Sequence, residues 1–222
     1  MTATLAAKYE TNKKPSASVF FNSTIGQVKL STSVKDVALG GSPSLQDASF
    51  SLEKPGSFSV NYANKNVTFK FMNSITVLTK AVDFTYTHEH PANRTVVDGT
   101  FPFDKGNKMT VNYGLGTGDC KVKYKYERGE KEKRQVVVEP TYDVMKDAWD
   151  LAVMGTFEDT DVIKATYATK SNVLGVEWSR KTRGKVNWSL KVSTSINLAE
   201  FNLAERKAIP KFMAETKWNY DI

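Results

Sequence analysis

Apolar and polar residues alternate along most of this 222-residue chain. In the clearest run, Cys120, Val122, Tyr124 and Tyr126 alternate with charged residues, mostly lysines. A period of two residues is typical of a β-strand with one apolar face, whereas an amphipathic helix repeats about every 3.6 residues. Turn sequences rich in glycine, proline and aspartate separate the runs. The pattern therefore predicts an all-β chain, an antiparallel meander of about 14 strands within a range of about 12–16.

One stretch near the C-terminus fits a helix better than a strand. Asn197 is suited to cap a helix, Glu200 follows it by three residues, and Pro210 lies just beyond the segment. The pattern predicts a short helix within 198–207 and leaves a strand with a loop as the alternative. No linker or low-complexity segment divides the chain, so we expect a single β-barrel domain over 1–222.

The composition narrows the class of protein. Apolar residues make up 40% of the chain and charged residues 25%, as in ordinary folded proteins. No run of about 18 uncharged apolar residues is present, which excludes a helical span but not a membrane barrel with half-apolar strands. The net charge of +7 does not require a nucleic-acid partner, and none is predicted. The first residues lack the regions of a secretory signal, so we expect no cleaved targeting peptide.

Two architectures produce this alternation, and they differ in which face is inside. A soluble barrel that binds a ligand turns its apolar face inward, whereas a membrane barrel turns it toward lipid. A continuous polar face and a final strand available to pair with the first favour an antiparallel transmembrane β-barrel, leaving the soluble barrel as the alternative. Aromatic residues expected near strand ends, as in an interfacial girdle, are Tyr9, Tyr62, Tyr86, Phe103, Tyr142, Trp178, Trp218 and Tyr220.

Short segments spread along the whole chain carry a resemblance to a known family. They are LEKPG at 52–56, FMN at 71–73, NRT at 93–95, DGT at 98–100, CKVKY at 120–124, EPTYDV at 139–144, WDLAV at 149–153, VLGVEWSR at 173–180 and NLAE at 197–200. None of them is a catalytic motif. In their number, order and spacing the sequence resembles the plastid outer envelope pore protein 24 family.

The resemblance implies a voltage-gated, high-conductance, poorly selective β-barrel channel of the plastid (chloroplast or etioplast) outer membrane. It implies passage of phosphorylated sugars, dicarboxylates, charged amino acids, ATP and inorganic phosphate. The implied partners are the lipid bilayer and small anionic and zwitterionic metabolites, and assembly into a homo-oligomer is left open. A mitochondrial-type porin remains an alternative because barrel physics does not distinguish the two organelles.

If the apolar residues face lipid, the residues of opposite parity line a water-filled lumen. The predicted pore-lining residues are Lys70, Lys108, Lys121, Lys123, Lys125, Lys164, Lys185, Lys191, Lys217, Glu127, Glu177 and Glu215. Across all strands, inward lysines are expected to outnumber inward acids. Lys121, Lys123 and Lys125 lie about 7 Å apart on one strand face and repel each other unless water or anions surround them. We therefore expect a mild anion preference at low salt.

The sequence offers little for catalysis or metal binding. The single cysteine, Cys120, cannot form an internal disulfide or a cysteine-rich metal site. His88 and His90 flank Glu89, but two histidines of one short segment need a further ligand to hold a metal ion. A phosphate-binding glycine loop and a Ser/His/Asp arrangement are both lacking. We therefore predict that the chain is not an enzyme and uses no cofactor or metal.

Overall fold

A computed structural model describes residues 2–11, 16–35, 48–130, 134–157, 160–182, 187–200 and 210–221. Within these residues the chain forms sixteen β-strands. They are β1 (Thr2–Glu10), β2 (Ser16–Ile25), β3 (Val28–Lys35), β4 (Ala48–Lys54), β5 (Phe58–Ala63), β6 (Asn66–Val77), β7 (Lys80–His90), β8 (Arg94–Pro102), β9 (Asn107–Leu115), β10 (Cys120–Glu130), β11 (Arg134–Asp143), β12 (Ala148–Phe157), β13 (Asp161–Ala168), β14 (Val173–Lys181), β15 (Asn187–Asn197) and β16 (Lys211–Asp221).

Each strand pairs in antiparallel fashion with its neighbours in sequence, and β1 pairs with β16 to close the barrel. The predicted antiparallel β-barrel is therefore confirmed. The count of sixteen strands lies at the upper end of the predicted range and above the single value of about 14. In β2 the neighbouring Phe20 and Phe21 lie on opposite faces, which hides that strand's alternation in the sequence.

The register of the strands sets the size of the barrel. We call residues directly opposite each other on neighbouring strands ladder partners. Following them once around the barrel returns to β1 about 18 residues from the starting residue. For sixteen strands this stagger corresponds to a tilt of roughly 40° and a backbone radius of about 15 Å.

The large apolar side chains cover the outside of the barrel. Leu151, Val153 and Ile163 are between 43% and 46% exposed. Few apolar side chains are buried among the described residues, namely Ala6, Val82, Val137 and Ala148. A barrel of this kind has no apolar interior, which contradicts the soluble alternative with its inward apolar face. An apolar exterior without a covering layer is the arrangement of a barrel in lipid.

Outward aromatic side chains mark both ends of the barrel. Tyr9, Tyr62 and Tyr113 are exposed near the ends of β1, β5 and β9, away from the chain termini. Phe157 and Trp188 are exposed at the end that carries both termini. Two such bands match the aromatic girdles of membrane barrels. Tyr86 and Trp178 are exceptions to the predicted strand-end positions, since they lie in the middle of β7 and β14.

The segment predicted as a short helix is described only in part. Leu198–Glu200 forms one 3-10 turn, and the backbone N–H of Ala199 donates to Asn197 Oδ1 at 3.0 Å. This hydrogen bond is of the capping type that the sequence suggested. Residues 201–207 of the predicted helix lie outside the described part of the chain. In the described part, no helix is long and apolar enough to cross a membrane.

The turn between β8 and β9 is built around Asp104. Its Oδ1 accepts hydrogen bonds from the backbone N–H groups of Gly106 at 2.7 Å and Asn107 at 2.8 Å. The hydrogen bond from Gly106, followed by that from the Asn107 side chain, lowers the pKa of the Asp104 carboxyl. This contribution to stability is therefore present above the ordinary pKa of 3.8 and is lost as the pH falls through the lowered value.

A glycine lets this turn pack directly on β10. The backbone N–H of Glu127 donates to the Gly106 carbonyl at 2.7 Å, and a Cβ added at Gly106 would lie 2.4 Å from the Glu127 carbonyl oxygen. We expect G106A to destabilise the barrel by about 1–3 kcal/mol, because one of the two backbones must move. Denaturant titration of refolded protein in lipid vesicles measures this change.

Gly99 supplies the control for that substitution. A Cβ added there would lie 3.5 Å from the Phe84 ring, in ordinary contact. We expect G99A to change the free energy of unfolding by less than about 0.5 kcal/mol. Equal effects of G99A and G106A would show that the close approach of the turn to β10 is unimportant.

Candidate pore lining

The inside of the barrel is identified by a cavity that eight consecutive strands share. This cavity of about 730 Å³ is in contact with β2 through β9. Only the concave face of a closed barrel brings eight neighbouring strands around one space. One residue of each strand in this lining is Phe20, Ser33, Ser51, Asn61, Lys70, Thr87, Val96 and Asn112. The polar parity of these strands therefore faces the interior.

The register extends this assignment around the barrel. Eleven of the twelve residues predicted to line a pore occupy interior positions on described strands, and Lys185 lies outside the described residues. The eleven are Lys70 on β6, Lys108 on β9, Lys121, Lys123, Lys125 and Glu127 on β10, Lys164 on β13, Glu177 on β14, Lys191 on β15, and Glu215 and Lys217 on β16.

The interior contains more carboxylates than the sequence analysis assigned. Among the described side chains, the interior basic residues are Lys8, Lys29, Lys70, Arg94, Lys108, Lys121, Lys123, Lys125, Lys164, Lys181, Lys191, Lys211 and Lys217. The interior acidic residues are Glu10, Glu53, Asp83, Glu89, Asp98, Glu127, Glu139, Asp143, Asp150, Glu177 and Glu215. The interior basic residues therefore outnumber the interior acidic residues only slightly, by less than expected. Extending the apolar and polar alternation to both ends of each strand would have assigned these acidic residues to the interior.

Opposite charges alternate across five neighbouring strands on one side of the interior. Lys164 and Glu177 are ladder partners on β13 and β14. Lys191 Nζ on β15 lies 2.7 Å from Glu177 Oε2, and Lys191 is the ladder partner of Glu215 on β16. Glu215 is in turn the partner of Lys8 on β1. We call these five residues the alternating row, because each lysine in it faces a carboxylate.

Carboxylates balance only part of the positive charge of the three lysines on β10. Lys121 Nζ lies 3.4 Å from Asp143 Oδ2, and Lys125 Nζ lies 2.6 Å from Glu127 Oε2. Lys123 forms no ion pair with any residue that the structure describes. The unpaired positive charge on this strand is therefore smaller than the sequence row suggested.

The middle of the wall from β2 to β5 is polar but uncharged. Its hydroxyl groups are exemplified by Ser33 and Ser49, whose Oγ atoms lie 2.6 Å apart. Asn61 adds an amide, and Phe20 adds one aromatic ring. Hydroxyl and amide groups hold water without fixed charge, so the middle of this wall adds no fixed charge to the interior.

The two histidines considered as metal ligands, His88 and His90, lie on the same outer face of β7, but no third ligand joins them among the described residues. His88 lies on the outer face, where its Nδ1 is 2.9 Å from Thr95 Oγ1, whereas Glu89 lines the interior cavity. Among the described residues, no three histidine, cysteine, aspartate or glutamate side chains are grouped so that they could hold a metal ion.

Solved structures that resemble this fold include bacterial outer membrane proteins. The chain superposes on the Acinetobacter baumannii outer membrane protein Omp33 with a TM-score of 0.56 and 12% identity, covering 100% of this chain and 97% of the other. It superposes on a porin of Rh. blastica with a TM-score of 0.53 and 10% identity, covering 100% and 98%. At these identities the likeness shows a shared fold.

Close sequence relatives come from plants. The chain is 40% identical to outer envelope pore protein 24B, chloroplastic, of Arabidopsis thaliana, over 100% of this chain and 99% of the relative. It is 36% identical to outer envelope pore protein 24, chloroplastic, of Oryza sativa subsp. indica, over the full length of both. The family model for outer envelope pore protein 24 matches residues 1–221. By sequence, the chain belongs to the outer envelope pore protein 24 family.

Proposed function

We propose that this protein is a passive, porin-like solute channel of the plastid outer membrane and not an enzyme. The observation that carries the proposal is the segregation of faces around a closed barrel. Apolar side chains cover the outside, and serine, asparagine and charged side chains line the cavity inside. Barrels of about sixteen strands leave an aqueous channel. Family membership supports the plastid location.

The proposed channel is wide enough for small metabolites. Subtracting interior side chains about 5 Å long from a backbone radius of about 15 Å leaves a lumen roughly 20 Å across. The proposed solutes are phosphorylated sugars, dicarboxylates, charged amino acids, ATP and inorganic phosphate. We include voltage gating in the proposal, on the basis of the family resemblance.

Ion selectivity in this channel is proposed to be weak. The interior lysines and glutamates proposed to line the pore give the lumen nearly equal numbers of positive and negative charges. At physiological salt, charges separated by more than about 8 Å are largely screened. A small excess of interior lysines then gives a mild anion preference in dilute salt and little preference in concentrated salt.

Planar-bilayer recording of the refolded protein tests the channel. Under a gradient of dilute KCl we expect large unitary current steps and a reversal potential slightly toward the chloride equilibrium potential. Protein denatured by heat in the same detergent serves as the control. Absence of steps from folded protein that has inserted into vesicles would refute the channel. A clear cation preference would refute only the contribution of the lysines.

The proposed location is tested separately by import of the labelled chain into isolated plastids and mitochondria. We expect insertion into the plastid outer membrane that resists carbonate extraction. Preferential insertion into mitochondria would favour the mitochondrial-type porin instead.

A further inference from the structure

Charged ladder partners in this barrel follow a rule of opposite sign. Among the described residues, eight partner pairs join a basic to an acidic residue, and such pairs stabilise a sheet. The eight are Lys8–Glu215, Lys29–Glu53, Glu89–Arg94, Lys121–Asp143, Glu130–Arg134, Asp161–Arg180, Lys164–Glu177 and Lys191–Glu215. Ion pairs follow the register, as in Lys121–Asp143 at 3.4 Å and Arg180–Asp161 at 2.7 Å.

One pair in the described ladders breaks the rule. Lys108 on β9 and Lys125 on β10 are ladder partners, so their Cβ atoms are about 5 Å apart. Like charges directly opposite each other destabilise a sheet. Lys123 adds a third ammonium group on the same face, because its partner Thr110 is two residues along β9 from Lys108. We call Lys108, Lys123 and Lys125 the lysine cluster.

The counter-charges available to the cluster are few. Glu127 contacts Lys125 at 2.6 Å. Lys108 and Lys123 form no ion pair with any residue that the structure describes. Both side chains are exposed to the lumen. The three ammonium groups share two carboxylates, that of Glu127 and that of Glu139, which the flanking register of β10 and β11 places opposite Lys125. Neither Lys108 nor Lys123 has a carboxylate as ladder partner, whereas each lysine of the alternating row has one.

The position of the cluster suits a passing solute. Lys108 is the second residue of β9 and follows the 103–106 turn, so it lies near the barrel end that carries the chain termini. Lys123 lies two positions deeper than Lys125 along β10. The cluster therefore extends from this mouth toward the middle of the lumen.

We propose that the lysine cluster is a binding site for small anions of two or more negative charges, of the phosphate and pyrophosphate type. This inference rests on the proposed channel function and names a site within it. Flexible lysine side chains on positions about 5–8 Å apart can converge on one anion. Charge-assisted hydrogen bonds to phosphate oxygens then replace the repulsion between ammonium groups. A monovalent anion offsets less of that repulsion and binds more weakly.

Equilibrium dialysis with radiolabelled inorganic pyrophosphate tests the site on refolded full-length protein in detergent at low salt. We expect saturable binding by the unmodified protein. The double variant K108Q/K123Q should raise the dissociation constant by about tenfold, since two of three interacting charges are lost. The matched variant K164Q/K191Q removes the same net charge from the alternating row and should raise it less than about threefold.

Two outcomes would overturn the site, and neither depends on whether the protein conducts. Absence of saturable binding by the unmodified protein is one. Equal weakening in both double variants is the other, because it would assign binding to the net charge of the whole lumen. Bilayer recording of the same preparations tests the channel itself, so its failure is distinguishable from failure of the site.

A charge reversal tests independently whether repulsion within the lysine cluster destabilises the barrel. K108E turns the exceptional pair into an opposite-charge pair, so we expect a higher denaturant midpoint together with loss of pyrophosphate binding. K164E places a second carboxylate opposite Glu177 and should lower the midpoint. If K108E lowers the midpoint as much as K164E does, Lys108 and Lys125 do not repel each other and the inference is wrong.

Discussion

Replacement of Val153 by arginine is expected to destabilise the barrel in lipid by about 2–4 kcal/mol. Val153 lies in the middle of β12, is 46% exposed on the outer face, and has Val138 and Ala165 as ladder partners. An arginine there places a guanidinium group in the hydrocarbon layer, where no water or carboxylate solvates it. Denaturant titration of V153R in phospholipid vesicles, followed by tryptophan fluorescence, measures the loss.

The adjacent residue provides the matched control. Ala152 points to the interior, and its ladder partners are Glu139 and Thr166. An arginine at this position reaches water and the Glu139 carboxylate, so we expect A152R to change the free energy of unfolding by less than about 1 kcal/mol. A larger loss in A152R than in V153R would mean that the two faces of the barrel have been assigned the wrong way round.

Removal of two carboxylates from the alternating row is expected to make the channel clearly anion-selective. In E177Q/E215Q, the Lys164, Lys191 and Lys8 ammonium groups lose the carboxylates opposite them. A unit charge about 5 Å from a passing ion contributes roughly 1 kcal/mol in water before screening. We therefore expect the chloride-to-potassium permeability ratio in dilute KCl to rise about two- to fourfold. Reversal potentials in planar bilayers measure it.

The opposite substitution checks the sign of this effect. K164Q/K191Q leaves the same strands with excess carboxylate, so the reversal potential should move toward the potassium equilibrium potential. Shifts of both double variants should shrink in molar KCl, because the Debye length falls to about 3 Å. If both variants moved selectivity in the same direction, the interior position of the alternating row would be refuted.

Local pattern was sufficient to predict most of the strands. The run from Cys120 to Glu127 alternates in the sequence and forms the core of β10. The alternation did not reveal β2, where the interior Phe20 is apolar, or the short strand β4. Period-two alternation requires several successive residues before it can be distinguished from chance.

The interior position of the lysines was predictable in the same way, but the carboxylates that pair with them were not. The parity of one strand places Lys121, Lys123 and Lys125 on one face. That Asp143 neutralises Lys121, while Lys123 has no such partner in the described part of the chain, depends on the pairing of β10 with β11. Lys8 and Glu215 face each other although they come from opposite ends of the chain.

The sequence by itself determined that the chain forms strands with one apolar and one polar face, because successive side chains of an extended backbone point to opposite sides. It also determined the family. The tertiary structure decided which face is inside, how many strands close the barrel, and which charges oppose each other. These follow from hydrogen bonds between strands and from the stagger needed for closure. A one-residue change of register would turn a whole strand over, and alternation within that strand does not specify its neighbour's register.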